Sequence, residues 1–302
     1  MMRSLLRLLC LVLLAVASTP LRAADLTVSA NSYFLIDAWI NGHPVRLRVD
    51  PGGSGYVVLN PATVERIGLE RSMLRSSTRI GPIRLDGWSK VARVRIGETE
   101  GRRRLVWIDR PVVEDADGLI SPADMPYDLV TFELGAERQG ARDYVLPLEF
   151  PRGEGLYYPF PAGDQQVHVK FSLIKAHSMA TGAAGALLSG LFGGSWMGDP
   201  RDALIDFGVA RPVRPLALER PLSLEGLELD RFFVRTGDHR GNLELPPEPD
   251  ADPDEIVVTG AGGKRQRARY GLTIGLDRLS SCSRLVWNNL NRQLTLRCAP
   301  VG

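Results

Sequence analysis

Short stretches of alternating apolar and polar residues dominate the chain. Examples are LTVSA (26–30), HPVRLRV (43–49), VARVRI (91–96), VHVKFSLI (167–174) and QLTLRC (293–298). The side chains of a β-strand point alternately to its two faces, so this period of two predicts half-buried strands. Gly and Pro residues separate the stretches at short intervals, which favours an all-β barrel or sandwich.

Helical periodicity is scarce by comparison. The stretch PATVERIGL (61–69) predicts one short helix, with Asn60 as its N-cap, Pro61 in its first turn and Gly68 near its end. We therefore expect strands to carry almost all of the fold.

The beginning of the chain has the order of a secretory signal peptide. Arg3 and Arg7 are followed by an apolar stretch and then by small and polar residues, which predicts a signal over residues 1–23. The apolar core is too short for a membrane span, and no later stretch is long enough, so we expect no transmembrane segment. The predicted location is periplasmic or secreted.

Composition shifts suggest the domain boundaries. We predict an N-terminal lobe over 24–150, a Pro- and Gly-rich linker over 151–166 and a C-terminal lobe over 167–302. An acidic, Pro-rich stretch at 245–255 is expected to be an exposed insertion in the second lobe.

Two cysteines lie beyond the signal, Cys282 and Cys298. They flank two alternating segments separated by the turn sequence NNLN, so they would face each other across a hairpin. An even number of cysteines in an exported protein favours a disulfide, whereas a two-cysteine metal site would lack nearby histidines.

The charge balance gives no general reason to expect nucleic-acid binding. Of 37 Lys and Arg residues, Arg3, Arg7 and Arg22 lie in the signal, which leaves 34 against 35 Asp and Glu. The basic runs 102–104 and 264–269 are interpreted as solvated loops. Because the four histidines are scattered and no cofactor motif is present, we expect neither a metal nor a cofactor.

One stretch places an acid where a strand ends. VDPGGSGYVVLN (49–60) runs from a strand through Asp50 and a glycine-rich turn into a second strand. A related stretch, MATGAAGALLSG (179–190), follows 130 residues later and puts Ala180 at the position of Asp50. A looser match relates ADGLISPADM, from 116, to YGLTIGLDRL, from 270. These pairs suggest an internal repeat. The alternative is that Asp50 is only a turn former.

Residues 40–69 resemble the first active-site loop of pepsin-like and retropepsin-like aspartic proteases, in which a strand pair leads into Asp-Thr-Gly. The resemblance implies an all-β, two-lobed β-barrel fold with a pseudo-two-fold repeat. It also implies a peptide-binding cleft between the lobes. In that family two aspartates share one proton, and one of them activates water while the other acts as an acid.

The chain departs from the family pattern at the two positions that matter most. Pro51 replaces the hydroxyl residue that follows the catalytic aspartate, and Ala180 would replace the second aspartate. The resemblance makes Asp50 the candidate catalytic residue, and it implies a substrate-binding role for Gly52, Ser54, Thr181 and Gly182. Trp88 would belong to a flap hairpin over the cleft, although a plain glycine turn at LDGW is the alternative.

Three functions remain open from the sequence. The first is an exported aspartic-protease-like protein that binds an extended peptide or protein segment with little or no catalysis. The second is an active aspartic endopeptidase that uses Asp50 and an unidentified second carboxylate. The third is a structural β-domain in which the turn has no site function. The pattern does not define an oligomeric state.

Overall fold

The computed structural model describes residues 25–150, 155–238, 245–246 and 268–300. The predicted signal over 1–23 lies outside the described residues, as does most of the predicted acidic insertion at 245–255. The described residues form two β-lobes joined by a shared sheet. Among them, no helix combines the length and the apolar character needed to cross a membrane.

The first lobe is a closed barrel. Its elements are β2 (Leu35–Ile40), β3 (His43–Val49), β4 (Val57–Leu59), α1 (Pro61–Arg66), β5 (Arg75–Ile80), β6 (Ile83–Ile96), β7 (Thr99–Ile108) and β8 (Gly118–Ile120). The strand order is β2-β3-β8-β4-β7-β6-β5, and pairing of β2 with β6 closes a six-stranded barrel. Alternate side chains of these strands, such as Val45, Leu47 and Val49, fill its core.

The second lobe repeats this plan. Its elements are β11 (Tyr158–Ala162), β12 (Gln165–Phe171), β13 (Met179–Ala180), α2 (Gly182–Phe192), β14 (Gly194–Trp196), β15 (Arg201–Leu204), β16 (Ala210–Leu224), β17 (Leu227–Val234), β18 (Gly271–Ile274) and α3 (Leu276–Leu279). The order is β11-β12-β18-β13-β17-β16-β14, and β15 pairs with β16.

A five-stranded sheet contains strands from both halves of the chain. It consists of β1 (Leu26–Ser29), β9 (Leu129–Glu133), β10 (Arg142–Pro147), β19 (Cys282–Asn288) and β20 (Gln293–Cys298), in the order β1-β9-β19-β20-β10. Cys282 and Cys298 face each other across the β19–β20 hairpin and form a disulfide, so that prediction is confirmed.

The two lobes can be aligned through equivalent backbone hydrogen bonds. The Asp50 N–H donates to Ile120 at 3.0 Å, and the Ser172 N–H donates to Ile274 at 2.9 Å. Similarly, the Asn60 N–H donates to Asp117 at 3.0 Å and the Thr181 N–H to Gly271 at 2.9 Å. Ser172 is therefore the counterpart of Asp50, and Thr181 is the counterpart of Asn60.

This alignment corrects the predicted equivalence of Asp50 with Ala180. Ala180 ends β13 and is followed by α2, so the stretch read as a second active-site loop is a helix start. The Thr181 hydroxyl caps that helix by accepting from the Ala184 N–H at 3.2 Å. Thr181 and Ser172 bond to opposite ends of β18, which are three residues, or roughly 10 Å, apart.

Three smaller predictions are also corrected. The predicted linker 151–166 contains a strand of the second lobe, β11, and residues 102–104 lie within β7 rather than in a loop. Helix α1 is present, but the Asn60 side chain does not cap it. Its amide instead donates to Val113 at 2.7 Å and Ala116 at 2.8 Å, which fixes the chain that leads into β8.

Candidate active site

Asp50 lies at the carboxyl end of β3, where the barrel core meets the second lobe. Its side chain is buried, with 3% of the residue exposed. The Gly53 N–H donates to the Asp50 carbonyl at 3.0 Å and closes the turn DPGG, while the Asp50 N–H is fixed by β8. The backbone thus holds the carboxylate in one position.

Both partners of the Asp50 carboxylate come from the second lobe. The Leu173 N–H donates to Oδ1 at 2.6 Å, and the Ser172 hydroxyl donates to Oδ2 at 3.0 Å. Ser172 is itself buried, with 2% exposed, at the end of β12. A buried carboxylate requires such donors because its desolvation is otherwise uncompensated.

Gly52 allows the two loops to approach each other. A Cβ at this position would lie 2.9 Å from the Phe171 carbonyl oxygen and 3.1 Å from Asp50 Oδ2. Glycine is therefore required here because there is no room for a side chain beside the carboxylate. Its backbone conformation does not by itself require glycine.

Burial raises the pKa of Asp50 to about 6, against an ordinary value of 3.8. The hydrogen bonds from Leu173 and Ser172 and the positive charge of Lys175 oppose this rise, whereas the negative charge of Asp206 adds to it. The carboxyl group therefore changes its protonation within a mildly acidic range.

Lys175 and Asp206 form an ion pair beside this site, with the Lys175 Nζ 2.7 Å from Asp206 Oδ1. Lys175 follows Ser172 by three residues in the loop after β12. Asp206 lies in the short turn Asp206–Gly208 between β15 and β16. The sequence patterns described above did not point to either residue.

Each lobe carries a hairpin that reaches the other lobe. In the first, β5 and β6 meet at the tip Gly81–Pro82, where a side chain on Gly81 would overlap Asp238 of the second lobe. In the second, β15 and β16 meet at Asp206–Gly208. Gly226 lies in a different turn, the one between β16 and β17.

A family model described as aspartyl protease matches residues 36–121, which run from β2 to the residue after β8. The matched residues make up the barrel of the first lobe, and they are similar to that family. Asp50 lies within the matched stretch, and the repeated strand plan gives the described residues a two-lobed aspartic-protease-like fold.

The chain also matches a solved structure, that of EIAV protease complexed with the inhibitor HBY-793. It is 16% identical, with 35% of this chain and 88% of that chain covered and a TM-score of 0.24. No curated protein matches the chain.

By the backbone hydrogen bonds that align the lobes, Ser172 is the second-lobe residue that corresponds to Asp50. The two loops are joined by the hydrogen bonds that the Leu173 N–H and the Ser172 hydroxyl donate to Asp50. The sequence did contain a signal for this alignment, since VRLRVD (45–50) and VHVKFS (167–172) share one apolar pattern.

The remaining predicted site residues have different positions. Ser54 is half-buried in the Asp50 loop, whereas Thr181 and Gly182 begin α2 at the far end of β18. Trp88 lies within the β5–β6 hairpin, as expected of a flap residue, but it stands at the base of that hairpin and stacks on Trp107 with ring centroids 6.4 Å apart. Its predicted substrate contact stays a prediction.

Two cavities lie away from Asp50. One of about 290 Å³ is lined by Leu229, Ile274 and Ser281, and one of about 440 Å³ by Met125 and Leu290 among others. Neither includes Asp50 in its lining. Within the described ranges, no group of three or more acidic, histidine or cysteine side chains is placed to hold a metal.

Proposed function

We propose that this protein is an exported, aspartic-protease-like protein that binds an extended peptide segment between its lobes and has little or no peptidase activity. The observation that carries the proposal is the pair Asp50–Ser172. The Ser172 hydroxyl donates to the Asp50 carboxylate at 3.0 Å, which supports a site with one carboxylate where aspartic proteases have two.

The chemistry of hydrolysis explains why this pair is a weak catalyst. Two adjacent carboxylates supply a base for water and an acid for the peptide in the same site. A serine hydroxyl does not ionise in the working pH range, so it cannot share the proton of Asp50 in this way. Loss of one acid–base group typically lowers the rate by about 10²–10⁴-fold.

Peptide binding does not need the second carboxylate. Extended segments bind through backbone hydrogen bonds to strand edges, and side-chain pockets add selectivity. The two hairpins that reach across the lobes, with tips at Gly81 and Phe207, support a site that encloses such a segment.

Export is supported by two sequence features. The predicted signal over residues 1–23 and the disulfide Cys282–Cys298 both suit an oxidising compartment. The predicted location therefore stays periplasmic or secreted.

The alternative function is an active aspartic endopeptidase with Asp206 as the second carboxylate. The specific observation in its favour is that the Asp206 charge raises the pKa of Asp50. Against it, Asp206 is paired with Lys175 at 2.7 Å. The described hydrogen-bond partners of the Asp50 carboxylate are Leu173 and Ser172, not Asp206.

Purified protein should be incubated with a fluorescently labelled, denatured polypeptide at pH 4–7, and both binding and cleavage should be measured. We expect saturable binding without cleavage above the background of Asp50→Ala. Cleavage that disappears in Asp50→Ala and in Asp206→Asn, but persists in the exposed control Asp109→Asn, would support the peptidase instead. Absence of binding and of cleavage would overturn both functions.

A further inference from the structure

The tip of the second hairpin contacts the loop that supplies the partners of Asp50. Asp206 is ion-paired with Lys175, whose loop also supplies Ser172 and the Leu173 N–H to Asp50. The hairpin therefore places its turn against the loop after β12. A segment of the chain itself lies against the loop that holds the carboxylate.

The neighbouring residue, Phe207, fills an apolar cluster of the first lobe. That cluster consists of Val58, Val113 and Leu119, and the Phe207 side chain packs against it. Leu119 directly precedes Ile120, whose carbonyl accepts the Asp50 N–H. The aromatic ring is thus held on the first lobe, one residue away from the strand end that positions Asp50.

Phe207 adopts a backbone conformation that is unusual for its residue type. Its φ of 56° and ψ of 32° lie in the left-handed region, which is uncommon for an aromatic residue. Gly208 beside it also has a positive φ, 64°, and two left-handed residues in succession form the tight turn that suits a β-hairpin. The turn type therefore accounts for the conformation, and the apolar cluster and the Lys175–Asp206 ion pair fix where the tip lies.

The two hairpins are anchored differently. The first tip lies against Asp238, whose side chain is 2% exposed and accepts from the Arg211 Nε at 2.7 Å. The second tip depends on Asp206, whose side chain is 57% exposed, and on the half-buried Phe207 ring. Exposed ion pairs contribute little to stability, so the second tip is the easier one to displace.

We propose that the Asp206–Phe207 tip is an internal occupant of the peptide site, and that the ligand that replaces it is a peptide with an acidic residue followed by an aromatic one. The ligand's carboxylate takes the place of Asp206 on Lys175, and its ring takes the place of Phe207 on the apolar cluster. This inference rests on the proposed function, because it names the class of peptide that the same site binds.

The test is a binding titration with fluorescein-labelled Gly-Asp-Phe-Gly peptide on the full-length protein. Removing the internal ring in Phe207→Ala should tighten binding about tenfold relative to the wild type. Phe207→Gly, which accepts the left-handed backbone, should do the same. Leu204→Ala is the matched control, since this residue lies on the same hairpin and is 68% exposed, and it should leave the affinity unchanged.

Two further comparisons test the chemistry of the ligand. In the Phe207→Ala background, peptides with Asn for Asp or Ala for Phe should lose most of the tenfold gain. Adding Lys175→Gln should abolish the preference for Asp over Asn while keeping the preference for Phe over Ala. A simple loosening of the fold would not separate these two preferences.

The outcomes distinguish this inference from the proposed function. Equal affinity of the wild type, Phe207→Ala and Phe207→Gly for the peptide would overturn the internal-occupant proposal. A gain that is equally large for all three peptides would overturn the proposed ligand class. In both cases, saturable binding of the denatured polypeptide would leave the proposed function standing. Absence of that binding in the wild type and both Phe207 variants would overturn the two together.

Discussion

Replacing Asp50 with Asn removes a buried group whose ionisation the folded protein disfavours. The pKa of Asp50 is about 6 in the folded protein, against 3.8 for the ordinary side chain. The folded state therefore binds the proton more tightly than the unfolded chain. The stabilisation that follows is fully present below about pH 4 and is lost as the pH rises through about 6.

The size of the effect follows from the difference of about two pKa units. One unit corresponds to 1.36 kcal/mol, so ionisation of Asp50 lowers the free energy of unfolding by about 3 kcal/mol between pH 4 and pH 7. Asn is uncharged throughout and has nearly the same shape. We expect Asp50→Asn to lack this loss and to become more stable relative to the wild type as the pH rises.

Urea unfolding at pH 4, 5, 6, 7 and 8, followed by tryptophan fluorescence, to which the buried Trp107 and Trp287 contribute, measures this difference. Asp124 also has a pKa raised to about 6 by burial, so the wild type contains a second group of the same sign. The comparison with Asp50→Asn isolates Asp50, because Asp124, Lys175 and Asp206 are the same in both proteins. If the free energy of unfolding of the wild type and of Asp50→Asn changed with pH in the same way, the reasoning would be refuted.

Two further predictions concern packing and covalent structure. Gly52→Ala should destabilise the protein by about 1–3 kcal/mol, because the new methyl group would lie 2.9 Å from the Phe171 carbonyl oxygen. The control Gly101→Ala, in open space on β7, should change the urea midpoint little, and an equal loss in both variants would contradict the argument. The double variant Cys282→Ala/Cys298→Ala should cost about 3 kcal/mol in urea unfolding, since the bridge closes a loop with a sequence separation of 16. Unchanged stability would show that the β19–β20 hairpin does not need its covalent link.

The sequence predicts the strands and the disulfide because both depend on local patterns. The alternation of apolar and polar residues in HPVRLRV predicts a strand with one buried face. The symmetric placement of Cys282 and Cys298 about a turn predicts a hairpin. The loop after β3 is equally local, since an acid followed by Pro and Gly residues interrupts a strand. These features need no knowledge of distant contacts.

The second half of the site was missed because a motif match outweighed local helix chemistry. The letters Ala-Thr-Gly at 180–182 resemble an active-site loop, but Thr followed by small and apolar residues is also a helix N-cap and first turn. Ser172, the true counterpart of Asp50, has no glycine after it and can be recognised only by aligning the strands that precede the two residues.

Asp206 and Lys175 could not be paired from the sequence. They are 31 residues apart, and their contact depends on a hairpin that folds back onto the loop after β12. Ion pairs between separate loops depend on the tertiary structure. The hydrophobic periodicity and the composition of the sequence do not predict them. The same reason explains why Phe207 was not assigned to a cluster of first-lobe residues.

The central claim is that Ser172, in the position of a second aspartate, leaves Asp50 without a catalytic partner. The most direct measurement is the rate of cleavage of a quenched-fluorescent denatured polypeptide at pH 4–6 by the wild type, Asp50→Asn and Ser172→Asp. We predict equal background rates for the wild type and Asp50→Asn, and a rate at least about 100-fold higher for Ser172→Asp. Cleavage by the wild type that matches Ser172→Asp and is lost in Asp50→Asn would contradict the account.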